Sequence, residues 1–154
     1  MWLIFAHMTA KKYMNEISLS VKKSDFQRVK ITESSEAEKL IRGFFFDDLG
    51  LYESSFILLL NRANIAHGFA KISQGGISGT IIDPAIVAKY AVESLSKGVI
   101  ICHNHPSGNL EPSPEDRKIT ERIKSGLALF DIKLLDHIIL TEEGYSSFAD
   151  RGII

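Results

Sequence analysis

Cysteine is almost missing from this 154-residue chain. The single thiol, Cys102, excludes a disulfide framework and any zinc site built on two or more thiolates. An excess of one charge is missing as well. Lys and Arg number 18 and Asp and Glu 19, a formal net of −1, which argues against a strongly electrostatic nucleic-acid surface. No apolar run approaches the roughly 20 residues that span a bilayer. Trp2-Leu3-Ile4-Phe5-Ala6 stops at His7, has no basic segment before it and meets Lys11 and Lys12 soon after. It reads as an extra edge strand or an irregular leader rather than a targeting signal, and a soluble, cytoplasmic protein is the expectation. Internal repeats and Pro/Gly/Ser linkers are lacking too, which leaves one domain. At 45% apolar and 24% charged the chain has the composition of an ordinary folded core.

Periodicity divides what remains into a lead-in over 1–33, irregular or partly strand, and an α/β domain over 34–154. Ser34-Ser35 can cap a helix on which Ala37, Leu40, Ile41, Phe44 and Phe45 recur, stopping near Gly50. Of Phe44-Phe45-Phe46, two side chains suit the core and one the surface or an interface. Residues 56–60 and 65–72, joined by Asn61-Arg62-Ala63-Asn64, read as a β-hairpin. Asp83-Pro84 starts a helix carrying Val87, Ala91 and Leu95 and closed by Gly98. A buried strand over 99–102 follows, then a loop with three prolines. A helix from Ser113 buries Ile119, Ile123, Leu127 and Phe130, and strands over 132–141 and 145–148 finish the chain. This order predicts a three-layer α/β fold with a mixed sheet flanked by helices.

The chemistry concentrates in His103-Asn104-His105-Pro106 and Ser113-Pro114-Glu115-Asp116. Two histidines two apart on an extended segment share a face, with Cα atoms roughly 6.6 Å apart, and can converge on one metal. Pro106 favours extended backbone at His105. Cys102 then points to the opposite face, as a core thiol. Asp116, at the start of the next helix, supplies a third ligand and leaves one zinc position for water. Ser113-x-x-Asp116 is equally a capping box, in which the same carboxylate turns back on its own helix.

With Pro106-Ser107-Gly108, Leu135-Asp136-His137 and Tyr145-x-Ser-Phe148, these motifs resemble the RadC branch of the JAMM/MPN (JAB) metalloproteases, most clearly over 53–154. The resemblance implies an MPN domain, similar to the cytidine-deaminase-like three-layer fold. It also implies one zinc ion per chain held by His103, His105 and Asp116, with a zinc-bound water as nucleophile. Ser113 would hydrogen-bond that water or the oxyanion. The implied activity is a metallopeptidase or isopeptidase acting on a peptide or protein substrate.

Two departures from the family qualify it. The family's general-base glutamate is expected on the strand before the glycine-rich turn, where this chain has Ala70 and Lys71. A lysine cannot take that proton without a strongly depressed pKa. Glu53 is the best substitute and Glu111 the second, while Glu115 lies about 100° round the helix from Asp116. An impaired MPN metal-binding or interaction module is therefore the alternative. The family's DNA-repair label is the other departure. No helix-hairpin-helix region fits before residue 50, no basic, aromatic-interleaved stripe is present, and a nucleic-acid partner rests on the label alone.

Asp136 and His137 occupy opposite faces of their strand, each readable as a partner of the site or as a structural polar group. Ser107 and Gly108 shape the turn after the ligands. The 75–79 loop lacks Gly-Lys-[Ser/Thr], so it is no phosphate cradle and more naturally borders a substrate cleft. His67 is expected to be exposed.

Overall fold

Two seven-residue runs without an acid, lysine or arginine, 54–60 and 98–104, are buried along their whole length and form the centre of the sheet. The computed structural model describes residues 14, 17–45, 49–75 and 82–154. β1 (Ser54–Leu60) pairs antiparallel with β2 (Ala66–Gln74) on one side and with β3 (Gly98–Asn104) on the other. β3 runs parallel to β4 (Lys133–Leu140), and β4 is antiparallel to β5 (Tyr145–Ser147). The strand order is β2-β1-β3-β4-β5, a mixed sheet. α1 (Ser34–Arg42) covers one face, while α2 (Pro84–Glu93) and α3 (Pro114–Ala128) cover the other. The expected three-layer α/β architecture is the observed one.

Alternation along each strand divides the core in two. Phe56, Leu58, Ile100, Cys102 and Ile138 meet α1, whereas Ile57, Val99 and Ile101 meet α2 and α3. Phe44 and Phe45 join the first cluster, where Phe44 stacks on Phe69 at 4.1 Å between ring centroids. Phe46 lies outside the described residues, as do Trp2–Ala6 and most of the glycine-rich loop. In the lead-in, the described residues include one isolated bridge, Lys30 with Ile65, and Phe26 packs edge-on against Phe44.

Helix ends differ from the sequence expectation. α1 has Glu33 as N-cap residue, puts both Ser34 and Ser35 inside the helix and stops at Arg42 instead of near Gly50. Gly43 and the turn after it release Phe44 and Phe45 to pack across the sheet, which a continued helix would prevent. α2 does begin at Asp83-Pro84, where the Asp83 side chain accepts from Ala85 N–H at 2.8 Å. It ends at Glu93, so Leu95 sits in a left-handed turn (φ 55°) and is 84% exposed, while Gly98 opens β3. α3 ends at Ala128, leaving Phe130 half-exposed beyond it. His67, expected to be exposed, is half-buried, its Nε2 within 3.2 Å of Ser96 Oγ.

Parallel pairing of β3 and β4 requires a crossover, and α3 provides it. The N-terminus of α3 is thereby brought to the C-terminal end of β3, the edge at which α/β sheets place ligands.

Candidate metal centre

β3 ends in His103 and Asn104, and the backbone keeps its extended course because His105 N–H bonds Leu140 O at 2.8 Å. His103 and His105 therefore point to one face. Pro106 and Ser107 then turn the chain, with Gly108 at φ +80° donating to His105 O at 3.0 Å. A left-handed φ at this position suits glycine. Cys102 lies on the α1 face, fully buried, and burial raises its thiol pKa well above the ordinary value.

Asp116 closes the capping box and still turns one carboxylate oxygen towards the histidines. Its Oδ2 accepts from Ser113 N–H at 2.8 Å and from Ser113 Oγ at 2.7 Å, while Ser113 Oγ accepts from Asp116 N–H at 3.0 Å. Ser113 and Asp116 thus close a full capping box at the head of α3. The other oxygen, Oδ1, faces His103 Nε2 at 3.2 Å. The box aims the carboxylate at the histidines rather than diverting it from them. Burial alone would raise the Asp116 pKa, but the hydrogen bond and charge interaction with His103 and the bonds from Ser113 outweigh it. The carboxyl is held well below the usual range.

The remaining distances bring both imidazoles to the one carboxylate, each nearest a different oxygen. His103 Nε2 and His105 Nε2 are 2.8 Å apart, and His105 Nε2 lies 3.7 Å from Asp116 Oδ2. A tetrahedral zinc with bonds of about 2.0–2.1 Å holds its ligand atoms about 3.4 Å apart, so the three residues fit such an ion. His105 Nδ1 is 2.6 Å from Asn109 O. A carbonyl only accepts, so His105 carries its proton on Nδ1 and presents a bare Nε2 when neutral. His103 is 1% exposed, and the His105 and Asp116 side chains, at 16% and 14%, form the open side.

The other sequence candidates separate by face. Ser55 is the direct partner of His103 across the sheet, and its hydroxyl meets that of Ser73 on β2 at 2.7 Å. The register between β1 and β3 sets Ser55 against His103, and continuing it by two residues sets Glu53 opposite His105. Glu53 lies just ahead of β1, half-buried, and its backbone carbonyl accepts from Gly75 N–H at 2.8 Å. Lys71 pairs with Phe56 on the α1 face and binds Gln74 Oε1, so it stands on the wrong side of the sheet for this centre. Glu111 is held by Arg151 at 2.7 and 2.8 Å, and Glu115 is exposed. Ser107 Oγ accepts from Asn109 N–H at 3.4 Å, a bond within the turn.

Asp136 and His137 resolve differently. Asp136 accepts from Ser147 Oγ at 2.6 Å, Ala149 N–H at 3.0 Å and its neighbour His137 N–H at 2.7 Å, a structural set that holds β5 to β4. Burial raises the Asp136 pKa against these bonds. His137 Nε2 instead meets His103 Nδ1 at 2.8 Å, and its Nδ1 meets Thr120 Oγ1 at 2.6 Å. His137 is fully buried, and burial is the main cause of a pKa well below that of a free imidazole. Thr120, Asn109, Ser55 and Ser73 are neighbours of the centre that the sequence did not single out. Thr120 stands one helical turn after Asp116, a spacing that could have flagged it.

The chain is similar to known proteins over most of its length. A family model described as RadC-like JAB domain matches residues 31–153. The UPF0758 protein of Flavobacterium johnsoniae is 47% identical over 102 residues, covering 66% of this chain and 44% of that protein. That of Shewanella baltica is 36% identical over 141 residues, covering 90% and 61%, and that of Shewanella halifaxensis 36% over 152, covering 97% and 65%. The chain thus spans about half to two-thirds of the length of these curated relatives.

Proposed function

Because this chain belongs to the RadC-like JAB domain family, we propose that its MPN-fold domain is a zinc-dependent hydrolase of JAMM type, acting on amide or isopeptide bonds of a peptide or protein substrate. One observation carries the reading. Two imidazole Nε2 atoms and a carboxylate oxygen converge within 4.8 Å of one another, an arrangement of electron-pair donors that calls for a cation at its centre. Bound there, one zinc ion per chain would supply a Lewis acid for the scissile carbonyl and lower the pKa of an attacking water.

His103, His105 and Asp116 would hold the ion, with the capping box keeping the Asp116 carboxylate turned towards the histidines. Glu53, opposite His105 in the continued register, takes the proton from the attacking water and returns it to the leaving amine. Ser113 is close enough to Asp116 to steady a negative oxygen, provided its hydroxyl leaves Oδ2. That requirement favours a second reading, a metal-binding module without turnover, in which Ser113 serves only the cap.

Zinc analysis of the purified chain, combined with an isopeptide-cleavage assay, tests both. One zinc per chain is expected, lost in His103→Ala and His105→Ala with the circular dichroism spectrum retained. Unchanged zinc content in either variant would sink the ligand assignment. Stoichiometric zinc with no cleavage of any peptide or isopeptide substrate selects the module.

A further inference from the structure

Behind the three converging atoms runs a chain of buried hydrogen bonds whose proton directions can be counted. Thr120 has one hydroxyl proton, and its Oγ1 lies 2.5 Å from Asp116 O, which can only accept. That proton is therefore committed to Asp116. The 2.6 Å contact between Thr120 Oγ1 and His137 Nδ1 must then be a donation from His137 Nδ1–H. His137 is fully buried, with no carboxylate among its described hydrogen-bond partners, and such an imidazole is neutral, with a single ring proton. Its Nε2 is consequently bare, and the 2.8 Å contact to His103 must be a donation from His103 Nδ1–H. A neutral His103, the form that ligates a metal, is then left with a lone pair on Nε2, the atom that faces His105 and Asp116.

We propose that Thr120 and His137 are positioning residues that lock His103 in its Nδ1–H tautomer and present its Nε2 lone pair to the centre. The proposal deepens the metal-centre reading and rests on it for its purpose. The chain of bonds leaves Asp116 at its backbone carbonyl and passes through Thr120 and His137 to His103, whose Nε2 stands 3.2 Å from the Asp116 carboxylate. The His103 ring is thereby tied through β4 to the backbone of α3 at Asp116. His105 receives the same service from the Asn109 carbonyl. Partners of this kind fix the ring orientation of ligating histidines, and their removal lowers metal affinity by about 10–100-fold.

Two measurements test the proposal. Nitrogen-15 correlation spectra of the imidazoles in the metal-free wild-type protein should show His103 protonated on Nδ1; a bare Nδ1 on His103 overturns the relay. Zinc titration against a chromophoric chelator supplies the other. His137→Gln, whose side-chain oxygen can replace Nε2 as acceptor, should keep affinity within about three-fold. His137→Leu and Thr120→Val should each weaken it by about 10–100-fold, and Thr120→Ser should restore it. A folded His137→Leu that binds zinc as tightly as wild type refutes the positioning role. If the wild type takes no zinc, the metal reading fails, and the spectra of His103 still decide the relay.

Discussion

The Asn104 carboxamide oxygen accepts the Ser54 backbone N–H at 2.7 Å, and its amino group donates to Leu49 O at 2.6 Å and Tyr52 O at 2.7 Å. Asn104 is fully buried and sits between the two histidines in sequence, on the face of the sheet away from them. It fastens the segment from Leu49 to Ser54, and with it Glu53, to the strand that carries His103. The middle residue of the His-Asn-His string is thus a clamp, and its three bonds are all to backbone.

Replacing this clamp should be costly. Asn104→Asp turns two donated bonds into a carboxylate facing two carbonyl oxygens, and Asn104→Ala leaves three backbone groups without their partner. Either should lower the unfolding free energy by about 2–4 kcal/mol, the penalty for buried polar groups left unpaired. Urea denaturation checks this, and a change below about 0.5 kcal/mol would mean the segment is held by something else.

At the head of α3, Ser113→Ala should remove the bond to Asp116 N–H and one of the two that reach Asp116 Oδ2 from Ser113. Stability should fall by about 1 kcal/mol, as for other N-cap losses, and Ser113→Thr should recover most of it. Zinc affinity should fall only a few-fold, since Ser113 N–H still holds Oδ2. A complete loss of zinc would make the hydroxyl itself a ligand.

How far the sequence carried these conclusions depended on whether the deciding contact was local. His103, His105 and Asp116 were legible because strand alternation, a following proline and a helix start are all local rules. Cys102 was legible for the same reason, one step out of phase with the histidines. The ends of α1 and α2 were not. Phe44 and Phe45 leave the helical path for Phe56 and Phe69, partners that lie beyond any local window. His137 and Asp136 could be assigned to opposite faces but not to roles. Those depend on β4 lying parallel to β3, so that His137 comes beside Ile101 and reaches His103. The same limit hid Ser55 and Ser73, whose place beside His103 follows only from the pairing of three strands.

Glu53→Gln separates binding from turnover. Under the proposed hydrolase, the variant should retain one zinc per chain and its melting temperature, because no metal ligand or core contact is altered. Cleavage should fall by about 10²–10⁴-fold, the range for loss of a general base. Full activity in Glu53→Gln would remove this residue from the reaction. Substituting Lys71, on the opposite face, should leave the rate unchanged.

Cys102 is fully buried on the α1 face, and burial raises its pKa. The folded chain should resist alkylation, and the urea-unfolded chain should react at once. The sign of the pH effect follows from the same shift. Above the ordinary thiol value of about 8.5 the unfolded state loses a proton that the folded state keeps. The stabilisation from a neutral Cys102 is present below that pH and lost as the pH rises through the folded value. Denaturation midpoints should therefore decline from about pH 8.5 upward, and less steeply in Cys102→Ala. Zinc content should be unaffected in that variant, because the thiol points away from His103 and His105. A lower zinc content in Cys102→Ala with its fold intact would contradict the face assignment on which a nitrogen-and-oxygen centre depends.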